Sequence, residues 1–155
     1  MRYVFDSSPL INLFRHYYPA RFPTLWQNFQ KLIDDDRFVS VREVRRELEG
    51  SEDALSGWVK SEGGLFTTPS PEELAFVAQI FQVKHFQGMI RKKERLSGRP
   101  VADPFVIAKA KVSDSCVVTS EIWRENGAKI PNVCEYFQIP CKNFEEFMEQ
   151  ENWKF

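Results

Sequence analysis

Short, almost wholly apolar runs alternate along this chain with longer segments of helical periodicity, and this alternation limits the fold more than any other feature. The runs at residues 2–5, 38–41 and 115–119 have the length of strands. They lack the regular alternation of polar and apolar residues that marks a strand with one face in water. Strands that are buried on both faces and separated by helices predict an α/β protein whose parallel sheet is covered on both sides.

Helix signals fill the segments between these runs. The clearest is Ser70-Pro71-Glu72-Glu73, which places a serine cap, a proline at the first helical position and acids in the first turn of a helix that extends to about Val83. Other signals predict helices that begin with Ser8 as cap and with Asp103 as cap. Apolar spacing predicts further helices at about 24–33, 42–49, 53–62, 132–137 and 144–148.

Length and composition predict one domain spanning residues 1–155. A chain of 155 residues with 43% hydrophobic residues can form one well-packed core. No apolar run has the length of a membrane span, and Asp6 interrupts the first apolar run too early for a signal peptide, so we expect a cytoplasmic protein. The three cysteines lack the spacing of a zinc site or a disulfide framework.

Acidic residues stand where an α/β sheet places its functional crevice, outside the carboxyl ends of the strands. Asp6 directly follows the first apolar run, and Glu121 follows the run at 115–119. Asp103 begins a helix that leads into that same strand, so it is expected at the same edge of the sheet. Glu47, near the end of the helix after the second strand, is less constrained by this logic.

Four carboxylates at one edge favour a divalent cation. Like charges within a few ångströms oppose one another's ionisation, and Mg²⁺ or Mn²⁺ prefers carboxylate and water oxygens. Such an ion can activate water for phosphodiester hydrolysis. The chain has only two histidines, so a metal-independent mechanism that uses histidines as acid and base has few candidate residues.

Four motifs occur in order along nearly the whole chain: Asp6-Ser7-Ser8, Val44-Arg45-Arg46-Glu47-Leu48, Ala102-Asp103-Pro104-Phe105-Val106-Ile107-Ala108 and Val117-Val118-Thr119-Ser120-Glu121. They carry a resemblance to the PIN-domain nucleases, the PilT N-terminus-like family, and within that family to the VapC-like toxin branch. It implies a three-layer α/β/α fold with a central parallel sheet of four to five strands. It also implies a Mg²⁺- or Mn²⁺-dependent endoribonuclease that acts on an RNA substrate and is often held inactive by an antitoxin protein.

Residue roles follow from the resemblance. Asp6, Glu47, Asp103 and Glu121 would ligate the metal or position water, and Ser7 or Thr119 would hold these carboxylates by hydrogen bonds. Many VapC-type sequences have aspartate where this chain has Glu121, which is one carbon longer, so the geometry of a second metal ion stays open.

Several residues compete for these roles. Glu43 lies one turn before Glu47 on nearly the same helix face, and the choice between them is open. Asp114 precedes its strand and is expected at the wrong edge. The run at residues 34–36 reads as a solvated helix end.

Basic residues are candidates for contacts to the RNA backbone. They are Arg46, Arg91, Lys92, Lys93, Arg95 and Arg99, although a charged, solvated helix face explains them equally well. A homodimer is a further possibility.

A catalytically silent PIN scaffold that binds RNA or protein is the competing hypothesis. The net charge of −1 is unlike that of a module that binds nucleic acid through a uniformly positive surface. Gathered carboxylates would bring such a module no advantage.

Overall fold

The computed structural model describes residues 1–50, 53–89 and 101–155 and contains a five-stranded parallel sheet. The strands are β1 (Tyr3–Phe5), β2 (Phe38–Val41), β3 (Phe66–Thr67), β4 (Cys116–Val118) and β5 (Cys141–Lys142), in the spatial order β3-β2-β1-β4-β5. This confirms the predicted α/β class and the parallel sheet of four to five strands.

Helices connect the strands and cover the sheet. They are α1 (Ser7–His16), α2 (Pro23–Asp34), α3 (Arg42–Leu48), α4 (Asp53–Ser61), α5 (Pro71–Gln82), α6 (Asp103–Val112), α7 (Ile130–Tyr136) and α8 (Phe144–Gln150), with 3₁₀ turns at Gly63–Leu65 and Lys84–Gln87. Among the residues described, no helix combines the length and the apolar character that crossing a membrane requires.

The strand order reverses beside β1. The chain proceeds from β1 outward to β2 and β3 and then returns to place β4 on the other side of β1. Phe5 is in register with Val118, and the Asp6 N–H donates to the Val118 carbonyl at 2.9 Å. A reversal of strand order opens a crevice at the carboxyl ends of the strands. Asp6 and Thr119 are the residues that leave the sheet at this point.

A cluster of aromatic rings fixes one face of the sheet. Tyr3 and Phe5 of β1 contact Phe147 of α8 with ring centroids 4.7 and 5.2 Å apart. Phe29 of α2 lies 5.7 Å from Phe5, and Trp153 lies 5.0 Å from Phe147. Each such ring removes about 150–250 Å² from water, so this cluster is a large part of the core. It holds β1 firmly, and with it the position of Asp6.

The helix α5 begins as the sequence predicts. The Ser70 side chain accepts from the Glu73 N–H, the Glu73 carboxylate accepts from the Ser70 N–H, and Pro71 occupies the first turn. The buried Glu73 also pairs with Lys109 Nζ of α6 at 3.3 Å. This ion pair joins α5 to the helix that carries Asp103.

Two predicted helix caps were wrong by one or two residues. The helix α1 begins at Ser7 with Asp6 as its cap, not Ser8, and α6 begins at Asp103 with Ala102 before it. The first-turn N–H groups of a helix have no partner within the helix, so proline is tolerated at its second or third position as well as its first. Pro9 and Pro104 therefore do not fix the starting residue.

Candidate active site at the carboxyl edge of the sheet

Asp6 lies at the centre of the candidate site and is almost completely buried, with 4% of its surface exposed. Its Oδ1 accepts from the Ser7 N–H at 2.8 Å. Its Oδ2 accepts from Thr119 Oγ1 at 2.9 Å and from Ser8 Oγ at 3.3 Å. All three donors are neutral, so they orient the carboxylate without neutralising its charge.

The electrostatic surroundings of Asp6 disfavour its ionised form. Burial raises its pKa, the hydrogen bond from Thr119 lowers it, and the carboxylates of Glu121 and Glu47 raise it further, to a value of about 6. Carboxylates act on one another mainly over short distances, because dissolved salt screens exposed charges beyond about 10 Å at 0.1 M ionic strength. The structure thus brings Glu47 and Glu121 into the electrostatic environment of Asp6, although they are 41 and 115 positions away in sequence.

Glu47 reaches the site from α3 and is tied to α1. The Ser7 hydroxyl donates to Glu47 Oε2 at 2.6 Å, while the Ser7 N–H donates to Asp6. Ser7 therefore holds two of the candidate carboxylates at once, through its side chain and its backbone.

Glu43 has a different environment. It is 1% exposed, and its Oε2 accepts from Arg42 Nε at 3.2 Å. Burial raises the pKa of Glu43, and the hydrogen bond and charge of Arg42 lower it in part. Its other oxygen, Oε1, is buried without a hydrogen bond to any part of the chain that the structure describes. Glu47 thus shares Ser7 with Asp6, whereas Glu43 pairs with Arg42, and the choice of Glu47 as the second acid stays a prediction.

Glu121 stands in the loop after β4, and its backbone and side chain are both engaged. Its N–H donates to Thr119 Oγ1 at 3.1 Å, and Thr119 in turn donates to Asp6. Its Oε2 accepts from the Ile130 N–H at the start of α7, at 2.8 Å. Thr119 therefore connects the backbone of the Glu121 loop to the Asp6 carboxylate.

Asp103 lies close to Glu121, at the start of α6. It is buried at the first position of α6 and shares with Glu121 a cavity of about 230 Å³, which Lys129 also lines. The sequence did not identify Lys129. It lies in a polar loop, and no local pattern shows which residue of such a loop will lie beside Glu121, eight positions earlier.

The donor set fits a hard divalent cation in its chemistry. All the candidate ligands are carboxylate oxygens, and the buried Asp6 gains nothing from its acidic neighbours unless a cation offsets them. Over residues 1–50, 53–89 and 101–155, no three acidic, histidine or cysteine side chains converge closely enough to enclose an ion. Mg²⁺ is usually held by one or two carboxylates with water and phosphate completing its shell, so a pair of these acids suffices.

The predicted RNA contacts are divided. Arg46 is exposed on α3. The remaining candidates, Arg91, Lys92, Lys93, Arg95 and Arg99, lie outside the described residues.

Comparison with known families now adds to this geometry. A family model described as a domain of unknown function, DUF4411, matches residues 3–155. The chain belongs to the DUF4411 family. No curated protein matches the sequence.

A solved structure shares the fold of this DUF4411 chain. It is the crystal structure of VapBC2 from Rickettsia felis bound to a DNA fragment from their promoter. The match covers 93% of this chain and 99% of the other, with a TM-score of 0.50 and 11% sequence identity. At this identity the likeness concerns the fold, and it confirms the PIN-like fold that the four motifs predict.

Proposed function

We propose that this DUF4411 protein is a divalent-metal-dependent endoribonuclease that hydrolyses RNA phosphodiester bonds, and that it is the toxin of a toxin–antitoxin pair. The observation that carries the proposal is the buried Asp6 carboxylate at the reversal point of a PIN-like sheet, with Glu47 and Glu121 raising its pKa. A fold that only stabilised itself would gain from removing such repulsion.

Each residue has a defined task in this proposal. Of Asp6, Glu47, Asp103 and Glu121, a pair would ligate Mg²⁺ or Mn²⁺ directly and the others would position its water molecules. The ion would supply a nucleophilic water and neutralise charge on the phosphate. Thr119 and Ser7 orient Asp6 and Glu47 through the hydrogen bonds described above. Lys129, beside Asp103 and Glu121, can pair with a phosphate oxygen of the bound RNA.

An antitoxin partner is the second part of the proposal. Its support is the fold shared with VapBC2 from Rickettsia felis, which was solved bound to a DNA fragment from their promoter. A short reading frame beside this one, encoding a protein that forms a stable complex with it and suppresses cleavage, is the expected finding. Loss of cleavage on adding that protein, and its return after proteolysis of the partner, would test the pairing.

The nuclease is tested with purified protein and a labelled single-stranded RNA. Cleavage is expected with Mg²⁺ or Mn²⁺, and EDTA is expected to abolish it. Asp103→Asn should abolish it as well. Asp114→Asn is the matched control, because Asp114 is an exposed aspartate at the opposite end of β4 and asparagine tolerates its positive φ of 51°. Undiminished cleavage in EDTA, or equal cleavage by Asp103→Asn and Asp114→Asn, would reject the proposal.

A catalytically silent PIN scaffold is the alternative. It is favoured by the present engagement of Glu47 with Ser7 and of Glu121 with Ile130, which leaves no three acids converging within the part of the chain described here. Calorimetric titration with Mn²⁺ separates the two functions. The nuclease requires a binding isotherm that Asp6→Asn removes, whereas a silent scaffold shows no such carboxylate-dependent heat.

A further inference from the structure

Two large apolar side chains project from the loop directly after Glu121. Ile122 is 72% exposed and Trp123 is 51% exposed. A tryptophan ring in a loop that is merely solvated leaves a large apolar surface in water, which is unfavourable. This ring also lies close to the buried carboxylate site. The pair requires an explanation beyond the fold.

The loop holding Trp123 is firmly anchored on both sides. Before it, the Ser120 N–H donates to Ser8 Oγ at 3.2 Å. After it, Asn132 Nδ2 donates to the Arg124 carbonyl at 2.7 Å, and the Gly127 N–H donates to the same carbonyl at 2.9 Å. A Cβ atom at Gly127 would lie 2.9 Å from the Arg124 carbonyl oxygen and 2.8 Å from Asn132 Oδ1, so any other residue would force this turn to shift. The backbone on both sides of Trp123 is therefore held in place before any ligand arrives.

Trp123 borders a cavity that continues into the candidate active site. The cavity has a volume of about 620 Å³ and includes Thr119 and Glu121 in its wall. That volume lies within the roughly 300–1,000 Å³ of typical small-molecule sites. Glu121 also lines the smaller cavity with Asp103, so this residue borders both spaces.

The remaining walls suit a nucleobase better than a phosphate. Ile139 and Pro131 supply apolar surface, and Glu135 and Glu146 supply carboxylates that repel phosphate but can accept from amino groups of a base. Lys142, at the end of β5, offers one positive charge. Bases stack on aromatic rings when they are free of a duplex, which is how proteins commonly recognise single-stranded RNA.

We propose that Trp123 and this cavity form a base-binding subsite, in which one unstacked base of single-stranded RNA stacks on the indole ring next to the phosphodiester held by the acidic site. The inference rests on the proposed function for its substrate class and adds where the neighbouring base binds. A second copy of the chain or a protein partner fits less well, because the cavity is continuous with the carboxylates and is walled partly by acids.

The test is equilibrium binding of a fluorescein-labelled, eight-nucleotide single-stranded RNA in EDTA, in which the metal-dependent reaction is suppressed. Trp123→Ala should raise Kd by roughly 5- to 150-fold, the range of alanine substitution at a base-stacking aromatic. Trp123→Phe, which keeps an aromatic ring, should restore most of the affinity. Tyr18→Ala is the matched control, since Tyr18 is 46% exposed between α1 and α2, and it should leave Kd unchanged.

Each outcome decides the inference independently of the nuclease. Trp123-dependent binding by a protein that never cleaves RNA would support the subsite and reject the nuclease. Cleavage and binding that are both unchanged in Trp123→Ala would reject the subsite and leave the nuclease standing. Equal affinity for single-stranded RNA and for duplex RNA of the same sequence would also overturn the base-binding subsite. A loss of self-association in Trp123→Ala, measured by light scattering, with RNA binding unchanged, would overturn the subsite as well.

Discussion

Two acids at opposite edges of the same sheet have opposite electrostatic surroundings. At the amino edge, Glu151 accepts from Tyr3 Oη and pairs with Arg37 Nη2 at 2.6 Å. At the carboxyl edge, the hydrogen bonds that Asp6 accepts from the described residues come from neutral donors, and its neighbours include acids. The first arrangement carries its own counter-charge, whereas the second leaves a place for a cation.

The pKa values of the two acids express this difference. Burial raises the pKa of Glu151, but the hydrogen bonds from Arg37 and Tyr3 outweigh burial and hold it below the ordinary value. Burial and acidic neighbours raise the pKa of Asp6 to about 6. When folding lowers the pKa of an acid, the charged form of that acid stabilises the fold. When folding raises the pKa, the charged form destabilises the fold. We therefore interpret Glu151 as structural and Asp6 as functional.

The largest expected effect is on catalysis. Asp6→Asn should lower the rate of RNA cleavage by more than about 100-fold, because even groups that only support a metal ligand typically account for 10- to 100-fold. Glu151→Gln should leave the rate within about 3-fold at a temperature where the variant stays folded. Single-turnover cleavage assays measure both, and a greater loss in Glu151→Gln than in Asp6→Asn would reverse the comparison.

Thr119→Val should have the next largest effect. It removes the hydroxyl that links the Glu121 backbone to Asp6, with little change of shape, and should reduce cleavage by about 10- to 100-fold. Thr67→Val is its control, because the Thr67 hydroxyl donates to the Ser40 carbonyl in β2 and has no contact with Asp6. Comparable losses in the two variants would assign the Thr119 effect to general stability.

Glu151→Gln should destabilise the protein. Losing the charged hydrogen bonds to Arg37 and Tyr3 should cost about 2 kcal/mol of the free energy of unfolding at pH 7, or roughly 5 °C in Tm. The Glu151 pKa is lowered in the folded state, so its contribution is present above pH 4.5, the ordinary value, and is lost as pH falls below it. Thermal melts at pH 7 and pH 3.5 check this, and an equal difference at both would contradict the ion-pair explanation.

Asp6→Asn should stabilise the protein in EDTA. The pKa of Asp6 is raised in the folded state from 3.8 to about 6, so the contribution of this one group to stability is greatest at low pH and is lost as pH rises through this interval. The variant avoids that loss, so its free energy of unfolding should exceed that of wild type by roughly 1–2 kcal/mol at pH 7.5. The full pKa shift, at 1.36 kcal/mol per pKa unit, would give more, but hydrogen bonds rearrange in the variant.

The gain should grow between pH 4 and 7 and should shrink when Mn²⁺ is added, since the ion stabilises only the wild-type carboxylate. Glu151→Gln supplies the control of opposite sign in the same melts. A variant that is less stable than wild type at every pH, with or without metal, would show that Asp6 is chiefly a helix cap.

The fold was largely predictable because its strands and helices have local signals. The runs that became β1, β2 and β4 are apolar, and the Ser70–Glu73 cap of α5 appears as expected. Strand β5 was not identified. Its two residues, Cys141 and Lys142, have no pattern of their own and pair only because β4 offers its free edge.

The site was predictable in position but not in detail. Asp6 and Glu121 follow strands, and parallel strands bring their carboxyl ends to one edge, so their common location follows from topology. The double role of Ser7, the turn of Glu121 towards Ile130 and the approach of Lys129 depend on side-chain conformations and loop paths that no local pattern encodes. Whether these acids bind metal stays a prediction.

The hydrogen bond between Thr119 and Asp6 spans 113 positions of the chain, and this separation has a consequence during synthesis. Ribosomes add roughly 5–20 residues per second, so on the order of ten seconds pass between the making of the two partners. Until then the middle strand of the sheet lacks its neighbour on one side, and the first acid has no oriented partner across the chain. The candidate site therefore cannot assemble until synthesis has passed Thr119.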